Sequence, residues 1–193
     1  MEIKELTLND DLSKVAELIY LTDNYIFPYW FDGYNNWKEL LVDLIKTKGT
    51  VFYYKNIIVA KQNNQIIGFL IHIENKNQLY FNYENLINYN KNFNHTIKTY
   101  VLPLKKYFTE PCVYISNVTV FPHNRQHGVA TALLTHLIKQ FPNTKFKLHT
   151  VCANTPAIKL YTKLGFKKMY ELKGFNAPYK RKPLIQLMEL ITK

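Results

Sequence analysis

The sequence predicts a mixed α/β fold, a sheet of about six to seven strands flanked by about four helices. Three observations predict it. Short runs alternate polar and apolar residues with a period of two, other segments repeat apolar residues at helical spacing, and in the last third the two patterns take turns. Strand, helix, strand, helix is how parallel neighbours in a sheet are connected, while the hairpin-like pairs elsewhere add antiparallel strands.

The opening EIKELTL alternates and reads as a strand. Asn9 or Asp10 is placed to cap a helix in which Leu12, Val15, Ala16 and Ile19 form one stripe. An aromatic loop, Tyr25 to Asn36, leads into a helix over Trp37 to Lys48, with Leu40, Leu41, Leu44 and Ile45 along one face and Gly49 as its stop. Ile57 to Ala60 and Ile66 to Ile73 flank the turn pair Asn63-Asn64 as an antiparallel hairpin. Residues 75–111 are crowded with Asn, Tyr and Phe, carry only weak helical patches at Tyr83 to Tyr89 and Thr96 to Leu104, and stand as an insertion without assigned structure. Then come a strand over Val113 to Val120, a turn at Pro122 to Asn124, a helix over Gly128 to Gln140, a strand over Lys145 to Cys152 and a helix over Thr155 to Lys163. Two closing strands follow, Phe166 to Leu172 and Leu184 to Ile191.

A chain of 193 residues, 47% hydrophobic and 20% charged, has the size and core of a single domain over 1–193, the insertion included. The composition excludes a disordered or fibrous chain. Cys112 and Cys152 make neither a disulfide framework nor a metal-ligand spacing, so free thiols in a reducing compartment and no metal are expected. No basic stretch followed by an apolar run opens the chain, and no apolar run reaches membrane-span length, so a cytoplasmic protein without a membrane partner is expected. The net charge of +11 raises a nucleic-acid partner, but the basic residues are scattered except for Lys167, Lys168, Lys173, Lys180, Arg181 and Lys182, which argues against one.

The informative segment runs from Val118 to Leu134: a strand end, a turn with proline, and a helix that begins at Gly128. The first N–H groups of such a helix have no internal partner and sit at the positive end of its dipole, which suits an anion. Gly128 lets a ligand approach the backbone, Ala130 keeps the surface low, and Arg125 adds charge.

Arg125-Gln126-His127-Gly128-Val129-Ala130 resembles the acetyl-CoA-binding signature of the GNAT superfamily of N-acetyltransferases, Arg/Gln-x-x-Gly-x-Gly/Ala. Asn154-Thr-Pro-Ala-Ile-Lys-Leu-Tyr161-Thr-Lys-Leu-Gly165-Phe166 resembles that family's second motif. The resemblance covers Val113 onwards, and the N-terminal third by element order alone. It implies a GNAT-like sheet with an extra insertion before the CoA-binding strand, and acetyl transfer from acetyl-CoA to a small-molecule or peptide amine by direct attack. It also implies that the strand ending at Val120 splays from its neighbour, with the pantetheine arm paired to main-chain groups of Val118 to Val120. The diphosphate is implied to rest on N–H groups from Arg125 to Thr131, and the Val118 N–H to polarise the acetyl carbonyl. Tyr161 is implied as general acid to the leaving thiolate, and Asn154 as the residue orienting the CoA arm or the tyrosine.

The base is open. Some family members place a carboxylate five residues before the asparagine, where this chain has His149, and a histidine is a competent base near neutral pH. Others use the previous strand, where Tyr114 stands, a poor base; a water chain is the remaining route. Cys152 is taken as core, because the resemblance implies direct transfer. The aromatic residues Tyr25, Phe27, Tyr29, Trp30, Phe31 and Tyr34 either floor an acceptor pocket or seal the sheet or a dimer contact. A homodimer is compatible with the resemblance. The alternative on the same fold is a non-catalytic module that senses CoA or binds nucleic acid or the ribosome.

Overall fold

Seven strands form one sheet in the order β1-β2-β3-β4-β5-β7-β6 in a computed structural model that describes residues 1–23, 26–32, 35–75, 109–173 and 184–192. The strands are β1 (Glu2–Glu5), β2 (Ile57–Gln62), β3 (Gln65–Asn75), β4 (Cys112–Val120), β5 (Lys145–Val151), β6 (Lys167–Lys173) and β7 (Leu184–Ile191). The helices are α1 (Leu12–Tyr20), α2 (Ile26–Trp30), α3 (Trp37–Lys46), α4 (Val129–Gln140) and α5 (Thr155–Lys163). Every neighbouring pair is antiparallel except β4 and β5. The weak helical patches expected at Tyr83 to Tyr89 and Thr96 to Leu104 lie outside the described residues, as do Lys180, Arg181 and Lys182 of the basic cluster.

Two local expectations need correction. α1 is capped by Asp11, whose Oδ1 accepts the Lys14 N–H at 3.2 Å, because the Asp10 carboxylate is engaged by the Thr7 N–H at 2.8 Å and Lys61 Nζ at 2.6 Å. The aromatic loop contains a short helix, α2, started by Asp23 Oδ1 accepting the Ile26 N–H at 2.8 Å and tolerating Pro28 in its first turn. The hairpin forms as the sequence suggests, with Asn63 and Asn64 both at positive φ, 49° and 62°, as a two-residue turn requires.

Alternation along β3 distributes its side chains to two layers. Phe69 and Ile71 join Leu18, Ile19, Phe27, Phe31, Leu41 and Leu44 under α1, α2 and α3. Leu70 joins Val113, Ile115, Leu133, Leu137, Phe146 and Leu148 under α4, with Leu160 and Tyr161 of α5 packed on that cluster. Burying one such leucine or phenylalanine contributes about 1.5–3 kcal/mol. Phe27 and Phe31, 3% and 4% exposed, therefore belong to the core and seal the sheet.

Candidate active site

β4 is paired with β3 from Cys112 to Val120 but with β5 over only three positions, Val113↔Phe146, Tyr114↔Lys147 and Ile115↔Leu148. The register with β3 slips at the same place: Ile71 pairs with Asn117 and His72 with Ile115, so Ser116 is an extra residue in β4. Such a bulge bends and twists its strand. Beyond it, β4 and β5 part. The Phe121 N–H donates to the Ile67 carbonyl at 3.0 Å, so by alternation Asn117 and Thr119 direct their main-chain groups to β3. Val118 and Val120 direct theirs into the parting. Arg125 Nε takes the Val120 carbonyl at 3.0 Å and ties the loop to the strand end.

α4 opens onto the same parting. Gln126 and Gly128 have φ of 65° and 77°, which wraps the chain so that successive N–H groups converge. The first bond of the helix is Ala132 N–H to the Gly128 carbonyl at 2.9 Å, and among the described residues nothing accepts the N–H groups of Gln126, His127, Gly128, Val129, Ala130 or Thr131. Arg125 differs from the sequence reading, since the Pro122 carbonyl accepts its N–H at 3.3 Å. The open set starts at Gln126. A Cβ at Gly128 would meet nothing within 4 Å, so the space a diphosphate needs is clear. A cavity of about 260 Å³ lies there, lined by Val120, Arg125, Gly128 and Ala130 and by Pro156 and Leu160 of α5, so the two motifs meet. α4 sits this close because Gly68 lacks a side chain: a Cβ there would lie 3.1 Å from both Val129 Cγ1 and the Thr119 carbonyl oxygen.

Tyr161 packs on Phe166, ring centroids 5.9 Å apart, in the α4-side cluster that includes Val118. It is half-buried, and burial pushes its pKa up to about 12. At neutral pH it is a proton donor. Asn154 is exposed and caps α5, Oδ1 accepting the Ala157 N–H at 3.4 Å. His149 faces the other way. Tyr114 pairs with Ile73, two residues from Ile71 of the α1-side cluster, and its hydroxyl lies 2.5 Å from His149 Nδ1 with the rings stacked 5.7 Å apart. Burial lowers the imidazole from its ordinary 6.5 to about 4, so it is neutral at physiological pH. The acid candidate and the base candidate thus occupy opposite faces of the sheet, and the parting connects them.

Sequence reasoning set Tyr114 aside as a poor base and passed over Thr22, Ser116, Asn117 and Thr119, which line the α1 face of the parted strand. Thr22 and Thr119 hydroxyls lie 2.8 Å apart although 97 residues separate them. No periodicity signals a contact of that range. Cys152 is a free thiol whose pKa burial raises, which leaves it a poor nucleophile. Among the described residues no cluster of His, Cys, Asp or Glu could hold a metal, and no helix is long and apolar enough to cross a membrane.

The chain is similar to proteins of known activity. It is 26% identical over 172 residues to an N-alpha-acetyltransferase of Saccharolobus solfataricus, covering 87% of this chain and 81% of the relative. An N-acetyltransferase from Staphylococcus aureus Mu50 superposes with a TM-score of 0.64 at 21% identity, over 98% of this chain and 100% of that one. A protein from Corynebacterium glutamicum, described as histone acetyltransferase HPA2 and related acetyltransferase, superposes with a TM-score of 0.67 at 17% identity, over 99% and 96% of the two chains. The sequence profile of the acetyltransferase (GNAT) family matches residues 24–166. That span takes in the parted strands, the bare helix start and the tyrosine helix together, and the chain belongs to the acetyltransferase (GNAT) family, acyltransferases that use acetyl-CoA as cosubstrate.

Proposed function

We propose that the protein transfers acetyl from acetyl-CoA to the α-amino group of a peptide by direct attack. The observation that carries this reading is the β4–β5 ladder that stops at Ile115↔Leu148, with the Val118 N–H turned into the gap. The acceptor class is supported by the similarity to the N-alpha-acetyltransferase. The family match favours an enzyme over the non-catalytic module.

Bound acetyl-CoA supplies an acyl carbonyl and a thiolate able to leave. The N–H groups of Gln126 to Thr131 hold the diphosphate, with the Arg125 side chain beside them, and main-chain groups of Val118 and Val120 align the pantetheine arm. The Val118 N–H donates to the acyl oxygen as charge develops there. His149, whose Nδ1 shares a hydrogen bond with the Tyr114 hydroxyl, accepts the amine proton. Tyr161 gives its proton to the departing sulfur from the other face. Asn154 sets the start of α5, and through it the place of Tyr161.

Thiol release with matched peptides tests the reading. A peptide with a free α-amine should release CoA, and the same peptide α-blocked but carrying a free lysine should not. Equal release from both overturns the α-amine assignment, and none from either overturns the reaction.

A further inference from the structure

Ser116, Asn117 and Val118 form the half-exposed stretch of β4 at the point where it leaves β5. Ser116 Oγ donates to Asn117 Oδ1 at 2.7 Å. A primary amide held by its oxygen presents its two N–H donors elsewhere, and among the described residues nothing accepts them. Asn117 pairs with Ile71, so its side chain stands on the α1 face, adjacent in sequence to the Val118 N–H that faces the gap. Beyond it, the Thr22 hydroxyl lies 3.1 Å from the Leu18 carbonyl and 2.8 Å from the Thr119 hydroxyl. A carbonyl donates nothing, so the single Thr22 proton goes to Leu18 and Thr119 donates to Thr22. Thr119 is thus fully committed as a donor. Among the described residues, the side-chain N–H donors of Asn117 have no partner on this face of the parted strand, between that locked pair and the Tyr114–His149 pair.

An amine that attacks beside the Val118 N–H from the α1 face carries its own substituents past Asn117. We propose that Asn117 selects acceptors bearing a carbonyl on the carbon that holds the amine. Its amide N–H donates to that carbonyl oxygen, and the Ser116 hydroxyl fixes the amide so that the donors point at the acceptor. The acceptor class is then an α-aminoacyl group, as at a peptide N-terminus. Alkylamines, polyamines and lysine side chains place no carbonyl within reach and forgo that hydrogen bond, while the half-exposed amide donors stay on solvent, so the preference for an α-aminoacyl group is the worth of one bond. This assignment rests on the α-amine reading above and adds the group that enforces it.

The test is steady-state thiol release at saturating acetyl-CoA with two acceptors, a tetrapeptide amide whose only amine is the α-amine, and n-butylamine. Asn117→Ala and the isosteric Asn117→Asp, which cannot donate when ionised, should raise KM for the peptide about five- to tenfold with a smaller change in kcat. The butylamine kinetics and the acetyl-CoA Kd measured by calorimetry should stay as in the wild type. Ser116→Ala should move the peptide KM in the same direction by less. An unchanged peptide KM, or an equal rise for both acceptors, overturns the proposal. Loss of acetyl-CoA binding in Asn117→Asp overturns it as well, by assigning the residue to holding β4. A wild-type enzyme that uses butylamine but not the peptide overturns the α-amine reading itself, whereas wild-type activity on the peptide that is indifferent to Asn117 overturns the selectivity assignment alone.

Discussion

Burial fixes the resting protonation of two titratable residues: the Tyr161 phenol, pushed up to about 12, keeps its proton at neutral pH, and the His149 imidazole, pushed down to about 4, stays neutral. A base works only when unprotonated, so an imidazole near its ordinary 6.5 would switch activity off below that pH. With His149 as found, kcat at saturating peptide should persist below pH 6 and fail only as pH falls towards about 4, which a kcat–pH profile checks. Tyr161→Phe keeps the ring packing on Phe166 and removes the proton, so kcat should fall about a hundredfold with the acetyl-CoA Kd unchanged. Tyr161, His149 and Asn154 were readable as candidates because the resemblance gives each a place in or beside the second motif. Tyr114 was not, because its chemistry comes from a neighbour 35 residues away across two parallel strands, and judged alone a tyrosine is a poor base.

The functional element is a strand with one residue too many. Ser116 shifts the side-chain parity of β4, so that Val113 and Ile115 before it and Val118 and Val120 after it all face α4. A period-two reading registers Val113 to Val120 as one strand and cannot see that its second half is out of phase, so the strand was legible and its bend was not. The short helix α2 escaped for a related reason: five residues are too few for a helical stripe, although Asp23 before and Pro28 within its first turn were start signals. Gly68 tests how tightly the elements fit. Gly68→Ala presses on Val129 and on the Thr119 carbonyl, and should cost about 1–3 kcal/mol in urea denaturation while weakening acetyl-CoA binding, because α4 must lift. Gly128→Asp tests the helix start: φ of 77° strains the backbone, and the carboxylate repels phosphate, so Kd should rise at least about tenfold by calorimetry.

For the molecule as a whole, protons act on stability through its enclosed histidines. His72 has its ring edge-on to Phe141 and its Nδ1 buried without a partner among the described residues, and burial lowers its pKa from 6.5 to about 4, as for His149. The fold favours the neutral form, so this stability is fully present above pH 6.5 and declines as pH falls through the window towards 4. The expected loss is on the order of 2 kcal/mol per histidine, read from urea midpoints at pH 7.5 and pH 5, and His72→Phe should flatten part of the slope. The order of sheet and helices was legible because alternation and helical spacing are local. The two-sided arrangement of the site was not, since it depends on which strands lie side by side. That arrangement has a pharmacological consequence. A bisubstrate compound, CoA bridged through a two-carbon spacer to an α-aminoacyl amide, would thread the sheet and engage Gly128 and Asn117 simultaneously. Tethering the halves should make it an inhibitor roughly 10²–10⁴ times stronger than either fragment alone.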